Sequence, residues 1–426
     1  MSQKKYGLMA ATALVISNMV GVGVYTSLGF QVADIQSFTA IVYLWVLGGV
    51  IALTGALCYA EISTTLKKSG GEYYYLSEFF GPALGFIGGW VSLLVGFAAP
   101  MCAIAIAIGK YSASAFGIEY SEFIPFVILI VMTLLHLLGV RFTEWFQNGF
   151  TTLKIILIMI FIGIMFSFES AQEVNFNLIP QAKDWSDLFS TPFYVSLVYV
   201  YFSYSGWNAS TYVAEVIESP SKNLPRSLIF GTIFVTIIYV LLNCGFLMVS
   251  GFEKLAGKVE VADVVARDIW GAQGGVFVSV FLSIGLLGTL SALIITGPRV
   301  LEVMGSDYPK LNRFAQKNRF EMPQMAIVAQ SLIAGLMILT SSFDYILRYV
   351  GLTLSIVSIL TVFGIFKLRK QKLSGDFRLK GYPFVPVLFI LINVAMSVFL
   401  IMDDPMIVVW SAVTMLSGYV VYRFVK

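Results

Sequence analysis

The sequence predicts an all-α integral membrane protein of twelve transmembrane helices, built as two units of five with a further pair towards the C-terminus. Three observations predict it. Hydrophobic residues fill 58% of the 426 positions and charged residues 12%, a balance far from that of soluble domains. Apolar runs continue along the whole chain, so a cleaved leader does not account for them. Two of these runs are interrupted by glycine in matching places. Gly21-Val22-Gly23-Val24-Tyr25 lies in a charge-free run over 6–33, and Phe202-Ser203-Tyr204-Ser205-Gly206-Trp207 lies in one over 188–214.

Charged residues mark the spans at 7–33, 38–62, 82–109, 123–140, 146–168, 191–216, 227–251, 273–300, 323–342, 345–366, 382–402 and 405–423. Each is near the roughly 20 apolar residues that a bilayer crossing needs. With the N-terminus inside, 20 of the 27 lysines and arginines fall on the inner side and 6 outside, while Lys154 falls within a span. Positive charge gathers on the cytoplasmic face, so both termini are expected there. The densest cluster is Lys367, Arg369, Lys370, Lys372, Arg378 and Lys380, which also suits anionic lipid.

Five is odd, so a second unit of five starts on the opposite side from the first and is inverted relative to it. Residues 1–168 form the first unit, 169–381 the second, and 382–426 the added pair. Both units open with their interrupted helix. No soluble domain is evident, although 254–270 outside, and 69–79 inside after the turn signal Ser69-Gly70-Gly71, are expected to form short surface helices. Arg141 and Glu144 fall in a short inner loop and read as surface. Cys58, Cys102 and Cys244 lie in apolar runs, which argues against a disulfide framework. His136 is the only histidine and sits in an apolar run, so it is expected to pack as a neutral ring rather than relay protons. No metal site, cofactor or nucleic-acid partner is expected. The absence of a targeting segment suits a prokaryotic plasma membrane.

Each interruption lies roughly 15 residues into its run, about 22 Å along a helix. A break at that depth frees backbone N–H and C=O groups in a low-dielectric region, where protein, water or a ligand must satisfy them. Paired breaks in two halves point to a transport site near the midplane. At Val20–Tyr25 the N–H groups that open the following half-helix attract an anion, and a substrate carboxylate is the natural guest. Val20, Gly21, Val22, Gly23 and Tyr25 are the candidate residues. The alternative is that the glycines serve close helix packing. At Phe202–Gly206 (Phe202, Ser203, Tyr204, Ser205, Gly206), carbonyls at the end of the first half-helix carry partial negative charge and suit an ammonium. Phe202, Tyr204 and Trp207 supply bulk that would either cover a substrate side chain or simply pack.

These residues carry a resemblance. The glycine motif at 21–25 is similar to that of amino acid–polyamine–organocation permeases. Phe202–Asn208, with Glu215 and the run Ser219-Pro220-Ser221-Lys222-Asn223-Leu224-Pro225-Arg226, resembles the sixth helix and following loop of that superfamily's L-type amino acid transporter branch. Tyr59-Ala60-Glu61 with Lys68-Ser69-Gly70-Gly71-Glu72-Tyr73, and Thr296-Gly297-Pro298-Arg299-Val300, resemble the ends of its second and eighth helices. The resemblance spans the first ten helices. It implies the leucine-transporter-type five-plus-five fold and an L-amino acid substrate. Val22 stands where the branch usually has Ser or Ala, Tyr25 where it has Phe, and Leu28 where it has Pro, which bears on side-chain preference. Residues 110–122 lack the cysteine that joins eukaryotic relatives to a heavy chain, so no covalent partner is expected.

Lys154 lies about two turns into the fifth span. A charge there is costly unless paired or solvated, which marks it for function; snorkelling to the inner surface is the alternative. The resemblance implies that its amine replaces a sodium ion, bridging carbonyls around Val20–Gly21 to hydroxyls such as Ser283. Transport is then sodium-independent. Glu61, Glu215, Lys222 and Arg226 fall near the inner ends of their spans, either as an ion-pair gate (with Phe202 as a gate closer to the site) or as ordinary interfacial charge. The expected function is secondary transport of neutral L-amino acids by alternating access, with exchange ahead of proton symport. A non-transporting amino acid sensor is the alternative from another class. A membrane enzyme would need convergent acids, bases or metal ligands, and the spans offer one lysine and one histidine on different helices.

Overall fold

A computed structural model describes residues 6–68, 70–138, 144–169, 179–320, 322–373 and 375–426, with the side chains of 144–151, 182 and 183 outside the description. Lys4, Lys5, Ser69 and Arg141, and the side chains of Glu144 and Lys183, therefore lie outside the described residues. The described chain is helical; its one β feature is an isolated bridge between Tyr6 and Ile217.

In order, the helices are α1 (Leu8–Met19), α2 (Gly23–Asp34), α3 (Phe38–Leu66), α4 (Gly71–Phe80), α5 (Pro82–Val91), α6 (Ala99–Phe116), α7 (Phe123–Leu137), α8 (Glu144–Ser167), α9 (Ala182–Leu188), α10 (Thr191–Ser203), α11 (Pro220–Leu255), α12 (Val261–Thr296), α13 (Pro298–Asp307), α14 (Asn312–Ala315), α15 (Gln324–Thr340), α16 (Phe343–Lys370), α17 (Phe384–Asp403) and α18 (Pro405–Val425). A π-helical stretch, Ser92–Ala98, joins α5 to α6, and a 3₁₀ stretch, Ala209–Val216, follows α10. Among the described residues eight helical stretches are long and apolar enough to cross a membrane: α1 with α2, α3, α5 with α6, α11, α12 with α13, α16, α17 and α18. Phe123–Leu137, Thr152–Ser167 and Gln324–Thr340 are shorter apolar helices.

Local chemistry sets the boundaries. Ser37, Ser190, Ser342 and Asp404 cap α3, α10, α16 and α18 by accepting from Ala40, Phe193, Tyr345 and Met406 N–H. The surface helix expected within 254–270 is the first part of α12, Val261 to Trp270. Gly271, at φ +70°, turns it into the membrane-crossing part, and Gly251, also at φ +70°, ends the straight part of α11. The inner helix expected at 69–79 is α4. Helix α9, the π-helical stretch, and the short helices α13 and α14 leave no mark in the pattern of apolar residues.

The main core is a large packing of apolar side chains from most of the helices, with Trp45, Tyr59, Tyr239, Phe246 and Phe389 fully enclosed, and two small clusters form around Phe86 and Leu93. Cys58 and Cys102 are buried, and all three cysteines are free. His136 is packed as expected. Met132 O can only accept, so Nδ1 donates to it at 2.7 Å, leaving Nε2 to accept from Ser291 Oγ at 2.8 Å.

Candidate site at two interrupted helices

Both predicted breaks are present. Val20 leaves helical geometry at φ −74°, ψ 80°, and the helix resumes at Gly23. Gly21 N–H turns back onto Met19 O at 2.7 Å. The first N–H groups of α2 have no partner within their own helix, as at any helix start. The second break begins where Ser205 N–H bonds Phe202 O at 3.0 Å, and Gly206 reverses the chain at φ +94° before the 3₁₀ stretch.

The two breaks are in contact. Ser27 Oγ on α2 lies 2.9 Å from Ser203 Oγ on α10. A Cβ at Gly23 would sit 2.6 Å from Ser203 Cα, and one at Gly206 would sit 2.8 Å from Asn18 O. No side chain fits at either position. At Gly21 the nearest atom to such a Cβ is Met19 O at 3.8 Å. The glycine motif thus divides its work: Gly23 permits close packing, and Gly21 leaves backbone open. Gly21, Val20 and Tyr25 line a cavity of about 10 Å³ with Lys154 and with Leu282 and Gly285 of α12. That volume is about one water, so an amino acid does not fit in this conformation.

Lys154 does not snorkel. Its buried side chain turns inward from α8, and Nζ donates to Val20 O, a carbonyl released by the first break. Ser283 is not its partner. Leu282 and Gly285 face the lysine from α12, and one residue along a helix is a turn of about 100°. Ser283 therefore faces α6 and accepts from Ser112 Oγ at 3.4 Å. The hydroxyl of Tyr25, a departure from the family pattern, is buried and has no partner among the described residues.

Sequence reasoning missed Tyr239, a fully buried residue of α11. Its hydroxyl lies 2.6 Å from Met19 O and 3.1 Å from Ser203 O, so one donor is shared by a carbonyl beside each break. Nothing in the sequence sets Tyr239 apart from other aromatics in apolar runs. Two aromatics of the second break, Tyr204 and Trp207, pack against neighbouring helices. Tyr204 OH donates to Trp45 O at 2.9 Å, and the Trp207 ring meets Tyr59 at 4.7 Å between centroids. Phe202 is buried, and Val22 is enclosed at the first break.

Glu61 takes its partner from outside the four charges that the sequence singles out. Glu61 does not meet Arg226, which is exposed. Its buried carboxylate takes Arg369 of α16, with Nη2 donating to Oε2 at 2.8 Å and Nε 2.8 Å from Oε1, and it also accepts from Leu379 N–H at 2.8 Å. The basic cluster that marks topology thus also supplies an ion-pair partner, because α16 ends beside α3. Glu215 lines a separate cavity of about 110 Å³ with Ser63, Lys67, Ser221 and Asp376. There the Ser221 hydroxyl first, and then the Lys67 ammonium, holds the Asp376 carboxyl below its ordinary range. Among the described residues no group of histidine, cysteine or carboxylate side chains is placed to hold a metal.

The family model for amino acid permeases matches this chain over residues 6–424. The chain belongs to the amino acid permease family. Individual relatives agree. The b(0,+)-type amino acid transporter 1 of Mus musculus is 26% identical over 416 residues, covering 95% of this chain and 84% of its own. Serine/threonine exchanger SteT of Bacillus subtilis (strain 168) is 29% identical, covering 91% and 89%. Large neutral amino acids transporter small subunit 2 of Oryctolagus cuniculus is 27% identical, covering 99% and 80%. This permease is therefore a multi-pass membrane transporter in the amino acid–polyamine–organocation superfamily, and not an enzyme.

Proposed function

We propose that this permease carries neutral L-amino acids across the plasma membrane by alternating access, without sodium, exchanging one for another. The observation that supports this most is the meeting of both interrupted helices at Tyr239, with Lys154 satisfying the Val20 carbonyl. The substrate carboxylate docks on the N-terminal N–H groups of α2 beside Gly21, and its ammonium on carbonyls at the end of α10. Phe202 and Ser205 flank it there. The Lys154 ammonium and a sodium ion at the Val20 carbonyl would exclude each other, which is the basis for sodium independence. The same reading takes twelve spans, two inverted units over 1–168 and 169–381 with a pair at 382–426, cytoplasmic termini, and no covalent partner.

Reconstitution into liposomes tests this. Uptake of labelled L-alanine, L-serine or L-leucine is expected to rise at least tenfold when unlabelled substrate is loaded inside, and to stay the same when choline replaces Na⁺. Uptake that needs a proton gradient and no internal substrate would replace exchange with symport. Binding without flux would favour a sensor. The Bacillus relative is named as a serine/threonine exchanger, which supports the first outcome.

Glu61 and Arg369 are proposed to form the inner gate, with Glu215 and Arg226 as exposed charge at its rim. Removing one member of a buried pair leaves the other charge uncompensated, at a cost of about 3–5 kcal/mol. Arg369→Ala is expected to lower exchange more than tenfold. The swap Glu61→Arg with Arg369→Glu is expected to recover part of it, and equal exchange by the single and swapped variants would remove the pair from the gate.

A further inference from the structure

Glu72 is a buried carboxylate that plays no part in the site described above. It is 5% exposed, and no lysine or arginine pairs with it among the described residues. Its charge is held instead by neutral donors from two directions. Tyr59 OH of α3 and Asn208 Nδ2 donate to Oε1 at 3.0 and 2.7 Å, and Tyr212 OH donates to Oε2. Glu72 also lies in the first turn of α4, where the helix dipole favours an anion. The preceding turn delivers it there. Gly70 and Gly71 both take positive φ, and a Cβ at Gly71 would collide with the Tyr212 ring.

Two of the three donors, Asn208 and Tyr212, lie immediately beyond the second break. The chain there is a 3₁₀ stretch with a non-helical residue, Val213, so its backbone is weakly self-supporting and depends on contacts with other elements. Hydrogen bonds to a charged acceptor are about twice as strong as neutral ones, and a buried carboxylate that loses them is heavily penalised. Glu72 is therefore a charged fixed point for this stretch, beside the neutral ties of Ser210 to Ala11 O and Ser227 Oγ and of Val216 O to Tyr6 N–H.

We propose that Glu72 is a positioning residue for transport: its carboxylate anchors 208–216 on α3 and α4, and so fixes where the second break presents its carbonyls. The link to substrate rests on the function proposed above; the anchoring itself does not.

Two readouts keep these apart. In full-length protein with Cys58, Cys102 and Cys244 replaced by serine, a cysteine at buried Ala214 reports the position of the stretch through its alkylation rate. Glu72→Gln and Tyr212→Phe are each expected to raise that rate at least tenfold, about 1.4 kcal/mol, and the double variant to add little further because both act on one contact. Unchanged alkylation in Tyr212→Phe, the milder change, overturns the anchoring even if Glu72→Gln fails to fold. In liposomes the same variants are expected to raise the KM for L-alanine, L-serine or L-leucine at least tenfold with maximal rate within twofold. Faster alkylation with unchanged KM would keep the anchor and overturn its role in substrate affinity. Absence of uptake by the parent protein would instead count against the transport reading.

Discussion

Lys154→Ala is expected to reduce exchange at least a hundredfold while leaving insertion and melting temperature nearly unchanged. Val20 O is released by the first break and takes its hydrogen bond from Lys154 Nζ. Without the amine, a carbonyl at membrane depth loses a charge-assisted bond, and an unsatisfied buried acceptor costs about 1–3 kcal/mol. That cost falls on the interrupted conformation alone, so the chain between α1 and α2 is driven to find other partners and the site loses its shape. The helices themselves keep their packing, which comes from the large apolar core and not from this contact. Lys154→Met, which keeps the length of the side chain and removes the amine, should behave like alanine. Exchange at the parental rate in the methionine variant would show that the amine is dispensable. Sodium dependence acquired by either variant would be the direct sign that the ammonium stands in for an ion.

The second large effect separates two glycines of similar appearance. Gly206→Ala is expected to lower the melting temperature and to abolish exchange. Its φ of +94° is a conformation that L-residues rarely adopt, and its Cβ would lie 2.8 Å from the backbone oxygen of Asn18, which cannot move aside without shifting α1. Strain of this kind costs about 1–3 kcal/mol before the clash is counted. Gly21→Ala should do the reverse. The space beside Gly21 is open, so the protein folds, but the methyl group occupies the place where a carboxylate would approach the α2 N-terminus. Binding of L-amino acids is expected to weaken at least tenfold with an unchanged melting temperature. Undiminished binding in Gly21→Ala would separate the open backbone from substrate recognition. Gly23→Leu is a less informative change, since the leucine would displace Ser203 and its effect would be one of packing.

Much of this site was legible in the chain because depth in a membrane is legible. Charge-free runs of known rise per residue place Gly21, Gly206 and Lys154 well inside, and low dielectric makes each an anomaly that needs a partner. The partners were harder to read. Glu61 reads as an acid near a span end, in an ion-pair gate or as ordinary interfacial charge, yet it takes Arg369, more than 300 residues away in the sequence. Ser283 and Leu282 differ by one position, and only the rotation of α12 decides which of them faces the lysine. Tyr239 carries no local mark, and Glu72 is marked only by the motif around it, which gives it no role. A tyrosine in an apolar run and a glutamate in the first turn of a helix are common, and their importance comes from what converges on them.

The sequence by itself determined that the chain is a bundle of membrane helices, where two of those helices break, and that a lysine lies at the depth of a break. All three follow from one-dimensional quantities, namely hydropathy, charge spacing and the conformational freedom of glycine. Only the tertiary structure decided that the two breaks share the Tyr239 hydroxyl, that Gly23 packs while Gly21 stays open, and that Glu72 holds the far side of the second break. Those outcomes depend on the rotation and approach of helices distant in sequence. Many side chains of nearly equal hydrophobicity fix that geometry together, and no single position encodes it.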